Sequence, residues 1–318
     1  MNFFKNFVQR YIVFREIKKN PVVIFIDTGK RLFLYALKYQ KQMNNENVFQ
    51  IDLDKIIRTK VGKNKKKISR FTTRFLSWII RENDLNDFLR FNGDSTGVET
   101  MNKAVEYFNI KLEFSGLENI PDQNKRLVFV SNHPLGGLDG ICLSSLLGTI
   151  FKGKIKYLVN DLLYFIKPLQ SIFIPVNKHG AQAKNGAQAI NQAFESENQI
   201  ITFPAGLCSR KQQGRIYDPE WKKMFITKAI EYQRDIVPVY FEARNSNFFY
   251  NLANIRKTLK IKFNLEMLLL PREMFRSKGK TFRIYFGEAI PWQTFDNSKS
   301  LQEWTDWTKK QVYSLNLR

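Results

Sequence analysis

The chain has 318 residues, 43% of them hydrophobic, and carries 51 Lys and Arg against 29 Asp and Glu, a formal net charge of +22. The apolar share excludes global disorder and leaves room for one large domain, or a domain with a smaller helical part. Two cysteines exclude a disulfide-dense framework and fit a reducing cytoplasm, while two histidines exclude a His-rich metal site.

Residues 1 to about 42 are aromatic and basic. Phe3, Phe7, Tyr11 and Phe14 recur at helical spacing. Three readings stay open for them: an interfacial amphipathic helix, a segment packed on the rest of the protein, or an overlong start before Met43. The most apolar stretch, 21–37, is broken by Asp27, Gly29, Lys30 and Arg31. It falls short of the roughly 20 apolar residues that a spanning helix needs. The first residues also lack the apolar core and small-residue cleavage site of a signal peptide. The sequence therefore reads as soluble or peripheral.

From Gln50 to about Phe108 the pattern is helical. A basic run, Lys60, Lys63, Lys65, Lys66, Lys67, Arg70 and Arg74, lies beside Phe71, Phe75, Trp78 and Ile79 at three- and four-residue spacing. Such a helix has one basic and one aromatic face, suited either to a solvated surface or to a membrane. Asn92-Gly93-Asp94 breaks it, and a further helix is expected from about Val98 to Phe108.

After Lys111 the period changes. Leu127–Ser131, Ile172–Val176, Ile200–Phe203 and Ile236–Phe241 are short apolar runs that read as buried strands. Helices are expected between them, at Ile141–Leu147, around Ala187–Phe194 and at Trp221–Tyr232. Thr281–Phe286 reads as a late strand and Leu301–Leu315 as a closing helix. Strands alternating with helices predict an α/β domain with a largely parallel central sheet flanked by helices, over 111–318, preceded by an N-terminal helical extension over 1–110.

Three polar, turn-forming segments follow these strands, where an open α/β sheet binds its ligands. The first is Asn132-His133-Pro134-Leu135-Gly136-Gly137-Leu138-Asp139-Gly140. His133 and Asp139 are six positions apart, about 120° apart on a regular helix, so they meet only if Pro134, Gly136 and Gly137 turn the chain. Once they meet, the carboxylate fixes the imidazole tautomer and raises its basicity, and the pair can deprotonate a hydroxyl. The plain alternative is a surface histidine in an ordinary loop. The second segment, Asn177-Lys178-His179-Gly180, is basic, and no carboxylate lies near His179. In the third, Phe203 to Lys211, Gly206, Ser209 and Arg210 form a natural anion cradle. Cys208 reads as structural, since nothing nearby suggests thiol chemistry. A Gly-x-Ser-x-Gly elbow, a phosphate loop and a dinucleotide fingerprint are all absent from the sequence.

In order and spacing, Asn132-His133…Asp139, Phe173-Ile174-Pro175-Val176, Phe203-Pro204-Ala205-Gly206…Ser209-Arg210 and Val237-Pro238-Val239 resemble the four blocks of the glycerolipid (lysophosphatidic acid) acyltransferase family. The resemblance covers about residues 111 to 290 and is closest to the bacterial branch that O-acylates lyso-forms of ornithine or glycine lipids. It implies that His133 is the general base and Asp139 its orienting partner. It implies direct attack of a lyso-lipid hydroxyl on an acyl thioester of acyl carrier protein or coenzyme A, with no metal, cofactor or acyl-enzyme. Asn132, Asn177, Lys178, Gly206, Ser209 and Arg210 would hold the acceptor. Five residues separate His133 from Asp139, as in the amino-acid-lipid branch. Ala205 replaces the family's usual Glu, and Asn177 its usual Arg, which shifts the expected acceptor away from lysophosphatidic acid. The implied location is peripheral, on an anionic membrane surface at the cytoplasmic face of the inner membrane. Nucleic acid is not an expected partner under this reading. The rival reading is a non-catalytic basic protein that binds nucleic acid or anionic membrane, which the net charge alone would serve.

Overall fold

The structure is a computed structural model. It describes residues 24–27, 31–34, 69–122, 124–159, 166–176, 181–261 and 264–317. The chain divides into two compact units, Met1–Gly93 with Ser246–Arg276, and Asp94–Asn245 with Ser277–Arg318.

The first unit contains an antiparallel pair, β1 (Ile24–Asp27) and β2 (Arg31–Leu34), inside the stretch expected to be helical. The aromatic series Phe3 to Phe14 and the basic run Lys60 to Lys67 lie outside the described residues. Helix α1 (Arg70–Ile80) starts where Ser69 Oγ accepts the N–H of Thr72 at 3.1 Å, and it ends at Arg81 in the left-handed region. Helix α2 (Glu82–Asn92) follows, and the unit is completed by helices Asn247–Thr258 and Leu270–Arg276. On α1, Thr73 and Ile80 are buried while Phe71 is 79% and Trp78 62% exposed. The aromatic face expected from the spacing is thus turned outward. The Arg272 guanidinium lies 5.4 Å from the Trp78 ring centre and 5.8 Å from that of the exposed Phe248, joining the two rings through one cation.

The second unit opens with α3 (Val98–Tyr107), β3 (Lys111–Ser115) and β4 (Leu127–Ser131). Then come α4 (Leu138–Ile150), β5 (Ile155–Val159), β6 (Phe173–Pro175), α5 (Ala181–Glu195) and β7 (Gln199–Thr202). A short hairpin, β8 (Arg210–Gln212) and β9 (Arg215–Tyr217), precedes α6 (Met224–Glu231) and β10 (Asp235–Glu242). The unit closes with β11 (Thr281–Phe286) and α7 (Leu301–Ser314), whose start carries a reciprocal Ser300–Glu303 capping box.

Seven strands form one sheet in the order β3-β11-β10-β4-β7-β5-β6. Every neighbouring pair is parallel except β10 with β11. This is the expected α/β fold with a largely parallel sheet. Strand β4 sits in the middle and is buried along its whole length. Val128 and Val130 join Phe194, Ile200, Trp221, Phe225 and Val312 in one core on one face. Phe129 on the other face meets the Phe151 and Phe286 rings edge-on. Burial on both faces is what makes a parallel strand read as an unbroken apolar run. Each such side chain contributes about 1.5–3 kcal/mol by leaving water.

Helix α3 packs on α4 with Met101 and Ala104 buried, so the sheet unit begins at Asp94. Ser246–Arg276 departs to the first unit and the chain then returns for β11. Among the described residues, no helix is long and apolar enough to cross a membrane.

Candidate active site

The chain leaves β4 in one direction through α4 to β5 and reaches β10 on the other side, so the carboxyl end of β4 is a topological switch point. His133 stands two residues past that end. Asn132 ties the exit to the neighbouring strand: its Oδ1 accepts the Phe241 N–H at 2.7 Å and its Nδ2 donates to the Phe241 carbonyl at 3.0 Å. Asn245 Nδ2 donates to the Pro134 carbonyl at 3.2 Å and holds the same loop from the end of β10.

The loop turns as its glycines require. Gly136 has φ 76°, a left-handed conformation that a side chain resists. The turn brings His133 Nδ1 to 2.9 Å from Asp139 Oδ2. The carboxylate also accepts N–H groups from Leu135 at 2.9 Å, Gly136 at 3.4 Å, Gly137 at 3.0 Å and Gly140 at 2.9 Å. Asp139 therefore shapes the turn and orients the histidine together. Because an ionised carboxylate only accepts, Nδ1 carries the proton, and Nε2 is left with a free lone pair. Asp139 is fully buried, whereas the His133 side chain is 13% exposed, enough to present one ring edge to a ligand. Phe203 packs against the imidazole at 4.3 Å between ring centres, and Tyr157 packs against Phe203 at 5.5 Å. Gly140 lets Tyr157 close the wall: a Cβ there would lie 2.3 Å from the Tyr157 hydroxyl oxygen.

Burial disfavours the imidazolium, but the charge and hydrogen bond of Asp139, with the charge of Asp218, outweigh it and leave the His133 pKa raised above 6.5; Arg210 opposes them. Burial likewise opposes ionisation of Asp139, and His133 together with the Leu135 and Gly140 amides more than reverses it, leaving its pKa below the usual carboxylate value. If the imidazole is to act as a general base, a raised pKa keeps it protonated, and idle, up to a higher pH. Activity should therefore climb with pH along a limb centred above 6.5. The pH dependence of kcat/KM checks this, and a limb centred below 6.5 would show that the two carboxylates do not govern the imidazole.

The third polar segment reaches the same edge. Gly206 closes a turn by donating its N–H to the Phe203 carbonyl at 2.9 Å. The Ser209 N–H donates to the His133 carbonyl at 2.7 Å, and the buried Ser209 hydroxyl donates to Asp218 at 2.6 Å. Arg210 Nη1 donates to the Cys208 carbonyl at 2.6 Å and contacts Cys208 Sγ at 2.9 Å. Cys208 is buried, as a structural thiol would be. Asn177, Lys178 and His179 of the second segment lie outside the described residues. Sequence reasoning passed over Asp218, although Tyr217-Asp218-Pro219 directly follows a short polar hairpin. A cleft of about 580 Å³ lined by Leu117, Ile120, Pro121, Asp122, Asn124 and Ile150 holds none of these residues, for Asn124 and Ile150 lie near the opposite ends of β4 and α4. Among the described residues, no cluster of His, Cys, Asp and Glu could hold a metal ion.

A family profile described as "Acyltransferase" matches residues 55–317. The chain belongs to the acyltransferase family. Two curated relatives of the acyltransferase are each named lyso-glycine lipid O-acyltransferase. The one from Phocaeicola vulgatus is 48% identical over 274 residues, 86% of this chain and 98% of the relative. The one from Bacteroides thetaiotaomicron is 48% identical over 273 residues, 86% of this chain and 100% of the relative. A crystal structure of the 1-acyl-sn-glycerophosphate (LPA) acyltransferase PlsC from Thermotoga maritima aligns with a TM-score of 0.45 at 15% identity, covering 78% of this chain and 90% of that one.

Proposed function

We propose that this acyltransferase moves a fatty acyl chain from an acyl thioester, carried by acyl carrier protein or coenzyme A, to the hydroxyl of a lyso-lipid of the glycine-lipid type in membrane lipid synthesis. The observation that carries the reading is 48% identity, over nearly their whole length, to two lyso-glycine lipid O-acyltransferases. The geometry around His133 supports a direct mechanism. His133 Nε2 takes the acceptor proton as the hydroxyl oxygen attacks the thioester carbonyl. The tetrahedral intermediate collapses with cleavage of the C–S bond, and the imidazolium returns the proton to the departing thiolate. The products are an ester and a free thiol. Throughout, Asp139 holds the ring and offsets its transient positive charge. In this reading Arg210, whose charge is felt at His133, meets an anionic group of the acceptor.

Peripheral binding to an anionic membrane, at the cytoplasmic face of the inner membrane, belongs to the same proposal. Phe71, Trp78 and Phe248 are exposed rings on the first unit, accompanied by Arg272 and the exposed Arg74, in a chain of net charge +22. Rings that enter the headgroup zone beside cations suit such a surface. A Phe71→Ser/Trp78→Ser variant is expected to lose about tenfold in sedimentation with phosphatidylglycerol vesicles, with thermal unfolding lowered only slightly, by the lost Trp78–Arg272 contact, because both rings are mostly exposed. Equal sedimentation of variant and parent would remove α1 from the docking surface.

The decisive assay offers purified protein acyl thioesters of both carriers together with lyso-glycine lipid, lyso-ornithine lipid and lysophosphatidic acid. Product from lyso-glycine lipid in clear preference supports the proposal. Preference for lysophosphatidic acid overturns the acceptor, and no transfer to any lyso-lipid overturns the reading.

A further inference from the structure

A second carboxylate is fixed at the backbone of the same histidine. Asp218 is 1% exposed, and both its oxygens accept hydrogen bonds. The His133 N–H lies 3.2 Å from each oxygen, the Ser209 hydroxyl 2.6 Å from Oδ1, and the Trp221 indole N–H 2.9 Å from Oδ2. With the Ser209 N–H on the His133 carbonyl, the His133 peptide is gripped at both ends. Ser209 and Asp218 also flank the β8–β9 hairpin, so their bond closes its neck and sets the start of Arg210. Asp218 is itself anchored to α7: its N–H donates to the Tyr313 hydroxyl at 2.8 Å, and its carbonyl accepts Lys309 Nζ at 2.9 Å.

We propose that Asp218 is a positioning residue for acyl transfer: it locks the His133 loop to the Ser209–Arg210 segment and, as a second fixed negative charge, favours the imidazolium that forms when the acceptor is deprotonated. The inference rests on the general-base reading of His133 given above. A carboxylate serving only as a packing pin would do as well neutral. This one grips the His133 backbone, and its charge is felt at the ring together with those of Asp139 from α4 and Arg210 from β8, both carboxylates drawing positive charge onto the ring. Burial lifts the Asp218 carboxyl above the ordinary range, while the Ser209, Trp221 and His133 donors and the His133 charge pull it back. Lys309 and Tyr313 from α7 and Tyr240 from β10 feel its charge from their side.

Asp218→Asn separates charge from contact. Its oxygen can still accept from Trp221 and His133, and its NH₂ can donate to the Ser209 hydroxyl, so the fold is preserved. The expected result is a kcat lower by on the order of tenfold to a hundredfold, because the imidazolium loses one of its two compensating charges, with acceptor KM within about twofold. The acid limb of the pH profile should move to lower pH. The chain has only two histidines, so the His133 ring proton can be followed by NMR titration, with His179→Gln to assign it. That titration should move the same way. A folded variant with unchanged kcat, or with reduced kcat and an unmoved titration, overturns the proposal. If Asp218→Asn fails to fold, Ser209→Ala carries the test: it loosens the clamp and keeps the charge, so kcat falls severalfold with the limb in place, and wild-type kcat overturns the clamp. A fully active His133→Ala would instead overturn the general-base reading, whatever Asp218 does.

Discussion

His133→Ala is expected to lower kcat by about 10²- to 10⁴-fold, the range that a positioned acid–base group supplies, and to leave the fold standing. The ring is part-exposed, and its main partners in the fold are Asp139 and the face of Phe203. The backbone bonds of residue 133, to Asp218 and Ser209, survive the substitution. Acceptor KM should change little, because Nε2 interacts most strongly with the proton in flight. The measurement is steady-state transfer to the preferred lyso-lipid beside a thermal unfolding curve. Near-normal turnover by the variant would remove His133 from the chemistry.

Asp139→Asn is expected to be nearly as severe in rate and worse in stability. With one oxygen in place of two, the side chain cannot accept both from His133 and from the four loop amides it now satisfies. Either its NH₂ faces Nδ1 and forces the imidazole into the other tautomer, with Nε2 protonated and unable to accept, or it faces the amides. The first outcome costs on the order of 10³- to 10⁴-fold in kcat. In either orientation the NH₂ replaces an oxygen that accepts two loop amides, Leu135 and Gly136 or Gly137 and Gly140, and strands those donors at about 1–3 kcal/mol each. Loss of turnover should therefore come with a lower melting temperature, unlike the result expected of His133→Ala. A variant that melts like the parent and turns over at more than a tenth of its rate would contradict both branches.

How much of this could be read beforehand depended on whether the signal was local. Leu127–Ser131 announced itself because a strand buried on both faces has no polar position to interrupt it. The His133–Asp139 contact was legible because Pro134 and two glycines between a base and a carboxylate have a geometric purpose. Strand β5 was harder to see, since Lys156 interrupts its apolar residues, and β3 is an exposed edge strand with no apolar run at all. Asp218 left no local trace. Its partners stand 3, 9 and 85 residues away, and only the folded sheet brings them together. The Gln213-Gly214 turn could have revealed the hairpin before it, because both residues take positive φ, 47° and 80°. Spacing on α1 found the aromatic face but not its direction, because helical periodicity is the same whether a stripe meets protein or solvent.

The loop from Asn132 to Gly140 contains three glycines and a proline, a composition that usually marks a pliant connection. Here its amides end on Asp139 and Asp218, one of its carbonyls on Ser209, and its first side chain on Phe241. Its freedom to fluctuate is thus closer to that of the strand it extends than to that of a surface turn. Under the general-base proposal, the His133 ring is held in place before any ligand arrives, and little ordering entropy is left to lose on the way to the transition state.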